Sequence, residues 1–195
     1  NSCPDTPTMP TPTDTVLLDG AVGTALIEAG VPASGGAWTA RANRSHTAAV
    51  AALHHSYALA GTTHHTANTF RTRSHDVGAD WRALLGLAVA ACRGAVPPEH
   101  RVLGSLAPAD DCYAPSTPPE QTRRGHAEVA DALADTGVDI ILCETFTRAE
   151  EAWVATEVAV ATGVPTWTSL CPGIHADGMT PQQLRAAAEG ALERG

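Results

Sequence analysis

"DIILCETFTRAEEAWVATEVAVATGVPTWTSL", residues 139–170, holds one complete structural unit. Asp139–Cys143 is an apolar run of the length and branching that suit a buried strand, and Pro165–Leu170 is a second β-prone run. The alanine-rich stretch between them reads as a helix. Strand, helix, strand in that order is a βαβ unit, whose two strands pair in parallel because only a long crossover can return the chain to the same end.

The same alternation extends toward the N-terminus. Thr15–Leu18, Thr62–Ala67 and Arg101–Ser105 are three further strand candidates, five in all, each followed by a helical pattern. Val50, Leu53, Tyr57 and Ala60 share a helix face that Gly61 ends, and Trp81, Leu84, Leu85 and Ala88 share another before Gly94. Thr117-Pro118-Pro119-Glu120, Thr147-Arg148-Ala149-Glu150 and Thr180-Pro181-Gln182-Gln183 each set a threonine three residues before Glu or Gln, the reciprocal capping box. No repeat marks a solenoid, and the pattern is that of one layered α/β domain. Residues 1–15, "NSCPDTPTMPTPTDT", carry four prolines and are expected to be a disordered leader, with Met9 a candidate natural start.

The chain has 195 residues, 44% hydrophobic and 17% charged, which suits one sizeable core. Its net charge of −9 argues against nucleic acid as a partner, since phosphate binding needs a cationic surface. All 12 basic residues are arginine, read as a compositional bias. No apolar run approaches the roughly 18 residues of a membrane helix, so neither membrane nor secretion is expected and the protein reads as cytoplasmic. Five scattered cysteines, with no C-x-x-C pair, fit free thiols better than disulfides or a zinc knuckle.

In parallel α/β folds the ligand site forms at the carboxyl ends of the strands. Those ends read "DGAVGT", "ANTF", "GSLAP", "CETF" and "SLCPG". Asp19-Gly20 suits a turn equally well. Glu144 is harder to dismiss, because a carboxylate beside a buried strand needs a partner. Of the nine histidines, His54-His55 and His64-His65 suggest metal, but adjacent strand residues face opposite ways and neither pair presents both rings to one ion. No metal site is expected from them.

Six motifs follow one another along the chain: Asp19-Gly20-Ala21-Val22-Gly23-Thr24, Trp38-Thr39-Ala40, His54 to Gly61, Asn68-Thr69-Phe70, Gly104-Ser105-Leu106-Ala107-Pro108 and Glu144-Thr145-Phe146. On these, from Val16 to about Pro172, the chain resembles the homocysteine S-methyltransferases. "SLAPADDCYAP" is most similar to the branch that takes methyl from S-methylmethionine or a related sulfonium. The resemblance implies a (β/α)8 TIM barrel, here with about five βα units over residues 16–195, and homocysteine lying on the strand ends. The backbone around Asp19 and Gly20 would hold the substrate carboxylate, Glu144 would take its ammonium group, and Asn68 and Ser105 would line the same pocket. No catalytic residue is assigned.

The resemblance also implies zinc, held by three cysteines in G-x-N-C and GGCC settings, to keep the homocysteine sulfur deprotonated. Neither motif occurs in the sequence, and Cys143 and Cys171 match no family ligand. The chain is therefore expected to be a fragment, one part of a split enzyme completed by a second chain, or a zinc-free paralogue. The implied partners are homocysteine and a small methyl donor, in methionine biosynthesis. The other reading is a non-catalytic amino-acid-binding or interaction module.

Overall fold

The computed structural model describes residues 16–33, 35–173 and 178–195. The proline-rich leader expected over 1–15 lies outside them. Four strands, β1 (His64–Ala67), β2 (Arg101–Leu106), β3 (Ile140–Phe146) and β4 (Thr166–Leu170), form one sheet in chain order, every neighbouring pair parallel. Thr66 pairs with Leu103, Leu103 with Ile140, and Ile141 with Thr166.

Of the strand expected at Thr15–Leu18, Thr15 lies outside the described residues and Val16–Leu18 do not form one. Leu18 makes a single parallel bridge to His64, supported by Thr63 N–H donating to Leu17 C=O and Asp19 N–H donating to His64 C=O at 3.0 Å. Leu17 and Leu18 remain exposed, and the pairing stops at this one bridge because Gly20 and Ala21 have no backbone hydrogen-bond partner among the described residues.

Eight α-helices surround the sheet among the described residues: α1 (Val22–Glu28), α2 (Ala42–Ser45), α3 (Thr47–Leu59), α4 (Ser74–Val77), α5 (Trp81–Ala95), α6 (Pro119–Asp135), α7 (Ala149–Val160) and α8 (Pro181–Leu192). Helices α5, α6 and α7 each span two consecutive strands, and α8 packs on β4 and α7. Leu85, Leu133, Ile141, Cys143, Phe146 and Ala152 fill the layer between helices and sheet, all buried. Gly104 belongs to this packing, because a Cβ there would sit 2.6 Å from the Leu133 Cδ2 of α6.

The opposite face of the sheet is concave. It carries a small cluster of Leu103, Ile140 and Leu142 with Trp167. His64 of β1 stacks on Trp167 of β4 with ring centroids 5.5 Å apart. In a flat sheet those strands would lie about 14 Å apart, three spacings of 4.8 Å, so the stack records how far the sheet curls. An α/β sheet of sequential parallel strands, curled inward with its helices outside, is the (β/α)8 barrel architecture, of which these strands form an arc.

Two of the three expected capping boxes do not form. Only Thr180 caps its helix, accepting from Gln183 N–H while the Gln183 side chain returns to Thr180 N–H. Helix α6 begins at Pro119 with Thr117 outside it, and Thr117 N–H donates to Asp110 at 2.5 Å. Helix α7 begins at Ala149, and the Thr147 hydroxyl donates to the Cys112 carbonyl. Long-range partners took the groups that local capping would have used. Gly94, expected to end its helix, lies inside α5, which stops only at Ala95 before Pro97-Pro98.

Candidate functional site

The strand ends open into a cleft of about 1130 Å³ whose walls include Asp19, Gly20, Asn68 and Glu144 together with Arg71, Asp111 and Tyr113. Residues far apart in sequence therefore meet at one rim.

The floor is built by rings seated on bare backbone. Gly20 faces Tyr57, so that a Cβ would meet its Oη at 2.9 Å, and the Tyr57 hydroxyl donates to the Ala21 carbonyl at 3.0 Å. Gly23 lies under Trp38, with a hypothetical Cβ 2.5 Å from the indole. Trp38 itself holds a left-handed backbone at φ 45° and meets Phe70 edge-on at 5.9 Å. Asn68 closes this assembly. Its amide nitrogen donates to Thr39 C=O and Asn43 Oδ1, its amide oxygen accepts from the Thr39 hydroxyl, and its own carbonyl accepts from Asn43. Although Asn68 lies in the cleft wall, both ends of its amide are spent inside the protein.

Asp19 keeps its backbone at the cleft and turns its carboxylate inward, where Oδ2 accepts from Thr66 N–H at 2.8 Å. The side chain is only 2% exposed. Burial, with a smaller push from the Glu144 charge, raises its pKa to about 6. The N–H groups of Gly20 and Ala21 have no hydrogen-bond partner among the described residues.

Glu144 is placed by a bulge. Thr145 holds φ 66°, and the β3–β4 register shifts between Cys143 and Phe146. In a regular strand Glu144 and Phe146 would share a face. The extra residue separates them, so Glu144 borders the cleft while Phe146 is fully buried in the outer core against His126. Burial pushes the Glu144 carboxyl above its usual range, opposed by the Ser105 hydroxyl, which donates to Oε1 at 2.5 Å.

Ser105 differs from its expected placement. It is 1% exposed and does not border the large cleft; it lies behind Glu144 and lines a neighbouring 270 Å³ cavity.

Sequence reasoning missed Glu151. Buried to 2%, it accepts from Ala109 N–H at 2.8 Å, His126 Nε2 at 3.2 Å and Arg148 at 2.8 Å, which fastens the loop after β2 that forms one cleft wall. Asp110 organises the same loop by accepting from Ser116 N–H, Ser116 Oγ and Thr117 N–H. The only available signal for Glu151 was a carboxylate on the buried face of an alanine-rich helix.

His54 was read from the sequence as one of a His-His pair from which no metal site was expected. It is fully buried in α3, neither ring nitrogen has a hydrogen-bond partner among the described residues, and burial lowers its pKa to about 4. An unsatisfied buried polar group costs about 1–3 kcal/mol.

The homocysteine S-methyltransferase family model matches residues 16–193. The chain belongs to the homocysteine S-methyltransferase family. Its enzymatic class is accordingly that of a methyltransferase. Among solved structures, the homocysteine methyltransferase MmuM from Escherichia coli aligns in its metallated form with TM-score 0.75 at 24% identity, over 92% of this chain and 71% of that one. The oxidised form aligns with TM-score 0.74 at 24% identity, covering 91% and 70%. The apo form gives 0.69 at 25%, covering 91% and 68%. At these identities the likeness establishes the shared fold. No curated protein matches. No helix among the described residues is long and apolar enough to cross a membrane.

Proposed function

We propose that this member of the family binds homocysteine in the strand-end cleft and serves its methylation to methionine by a sulfonium donor such as S-methylmethionine. The observation that carries this reading is the desolvated Glu144 carboxylate in the same cleft as the Gly20 and Ala21 N–H groups, which have no partner among the described residues. Glu144 accepts from the Ser105 hydroxyl and has no cationic partner among the described residues. A zwitterion answers that need: its ammonium group goes to Glu144, and its carboxylate goes to the N–H groups of Gly20 and Ala21. Asn68 and Ser105 support the pocket, Asn68 by locking the floor and Ser105 by fixing the Glu144 carboxylate.

In the transfer, the homocysteine sulfur forms a bond to the donor's methyl carbon. The donor's carbon–sulfur bond breaks with its electron pair left on the donor sulfur, which becomes a neutral thioether, and the thiol proton is released. The contribution of this chain is orientation: a rigid floor that holds the amino acid end and leaves the sulfur free for in-line attack.

The zinc implied by the family resemblance needs thiolates. Among the described residues, the one grouping of His, Cys, Asp or Glu with metal-ligand spacing contains no cysteine. Burial pushes the Cys92 and Cys143 thiols up to about 12, away from the thiolate form. The described cysteines do not fit that ion.

The test combines calorimetry of homocysteine binding with methionine formation from homocysteine and S-methylmethionine, followed by mass spectrometry. Saturable binding with turnover is expected. Binding without turnover would favour the amino-acid-binding module, and no binding would overturn the site.

A further inference from the structure

We infer that Asp19, His54 and His65 form a binding site for a divalent transition-metal ion, separate from the thiolate-held zinc of the family and independent of homocysteine. Asp19 arrives from the segment before α1, His54 from α3 and His65 from β1. One ligand atom from each lies within 4.8 Å of the other two. The two histidines come from different His-His pairs. His64 and His65 do face opposite ways, His64 toward Trp167 and His65 into the helix-side layer, and it is the packing of α3 on this end of the sheet that brings His54 beside His65.

Three observations point to an ion. First, His54 is fully buried and both its ring nitrogens lack a hydrogen-bond partner among the described residues, with Nδ1 only 3.9 Å from Asp19 Oδ2. A side chain that could have been leucine is instead an imidazole aimed at a carboxylate without bonding it. Second, the Asp19 carboxylate is buried with no arginine paired to it among the described residues. A buried anion flanked by two imidazoles is a donor set in need of a cation. Third, His65 is supported as metal-bound histidines are. Its Nε2 lies 2.9 Å from His100 Nδ1, and the two rings stack with centroids 5.2 Å apart. If Nε2–H donates to His100, the lone pair is fixed on Nδ1, which has the Thr62 hydroxyl at a long 3.4 Å while the Thr62 backbone also neighbours the ring.

Two imidazole nitrogens and one carboxylate oxygen suit a borderline ion such as Zn²⁺ or Co²⁺, with a remaining position for water. Donor atoms around tetrahedral zinc sit about 3.4 Å apart, from bonds near 2.1 Å, so an ion must draw this group together by roughly an ångström. Asp19, which borders the cleft, gives the route of entry.

The experiment uses chelator-stripped protein without homocysteine, titrated with Co²⁺ while visible absorption is recorded, then with Zn²⁺ by calorimetry. One ion per chain is expected, with Zn²⁺ displacing Co²⁺ and raising the thermal midpoint. His65→Leu should lose binding at least tenfold while remaining folded by circular dichroism, and His100→Ala should weaken it about 10- to 100-fold through the orientation of His65. Should His65→Leu fail to fold, X-ray absorption of the metal-loaded wild type decides: imidazole and oxygen ligation supports the site. Sulfur in the coordination shell, the absence of one-to-one binding, or equal affinity in folded His65→Leu would each overturn it. None of these outcomes depends on methyl transfer, so failure here leaves the homocysteine reading intact.

Discussion

Replacing Glu144 with Gln separates what the carboxylate does for the ligand from what it costs the fold. The substitution keeps the shape and an oxygen that can still accept the Ser105 hydroxyl, which now bonds Oε1 at 2.5 Å. It removes the charge proposed to meet the homocysteine ammonium group. A hydrogen bond to a charged group contributes about 1.5–3 kcal/mol, so homocysteine should bind roughly ten- to 150-fold more weakly. Stability should move the other way. Burial holds the Glu144 carboxyl above its usual range, which means that the ionised form is disfavoured in the folded state, and a neutral amide relieves that. Calorimetry of binding and a thermal melt at pH 7.5, run on the same preparations, give both numbers. Unchanged affinity would remove Glu144 from the ligand, and weaker binding with a lower melting point would mean that the variant damages the cleft instead of emptying it of charge.

Gly23→Ala should lower stability by about 1–3 kcal/mol, because the new methyl would lie 2.5 Å from the Trp38 ring and force the floor apart. Gly86→Ala, in a helix position with nothing within 4 Å, should instead gain about 0.5–1 kcal/mol; equal effects on the thermal midpoint would refute the packing account. Burial alone would raise Glu151, but His126, the Ala109 N–H and Arg148 together hold it below its ordinary value of 4.5. A depressed carboxyl adds stability that is complete above its unfolded pKa and lost as pH falls through the folded one. The stability gap between wild type and Glu151→Gln in urea melts should therefore shrink as pH falls below about 4.5, and a constant gap from pH 6 to 3 would exclude this role.

Four of the five strand candidates were legible, β2 and β3 because burial on both faces demands apolar residues, as in Asp139–Cys143, and the half-buried β1 and the partly exposed β4 because β-branched and aromatic residues alternate with helical patterns there. The run before Asp19 carries the same composition but finds sheet on one side only, and composition cannot report a missing neighbour. Capping depended on competition: the Thr147 hydroxyl had a carbonyl from Cys112 within reach, 35 residues away. At the rim, Asp19, Gly20 and Glu144 were readable from the strand-end rule. What Asn68 and Ser105 do there was not, since each spends its polar atoms on partners from other elements. The separation of Glu144 from Phe146 rests on a left-handed threonine that no local pattern announces. The meeting of His54 with His65 follows from how α3 lies on the sheet, which two adjacent letters in a sequence do not encode.

The stacked rings of His64 and Trp167 act as a keystone for the arch. Because they join the outermost strands of the set across its hollow side, the spread of the strand tips is fixed by these four strands themselves. Loosening that contact, as in Trp167→Ala, would let the arch relax outward and carry Asp19 and Glu144 apart, so a change at the base of the hollow would be felt by a guest at its mouth.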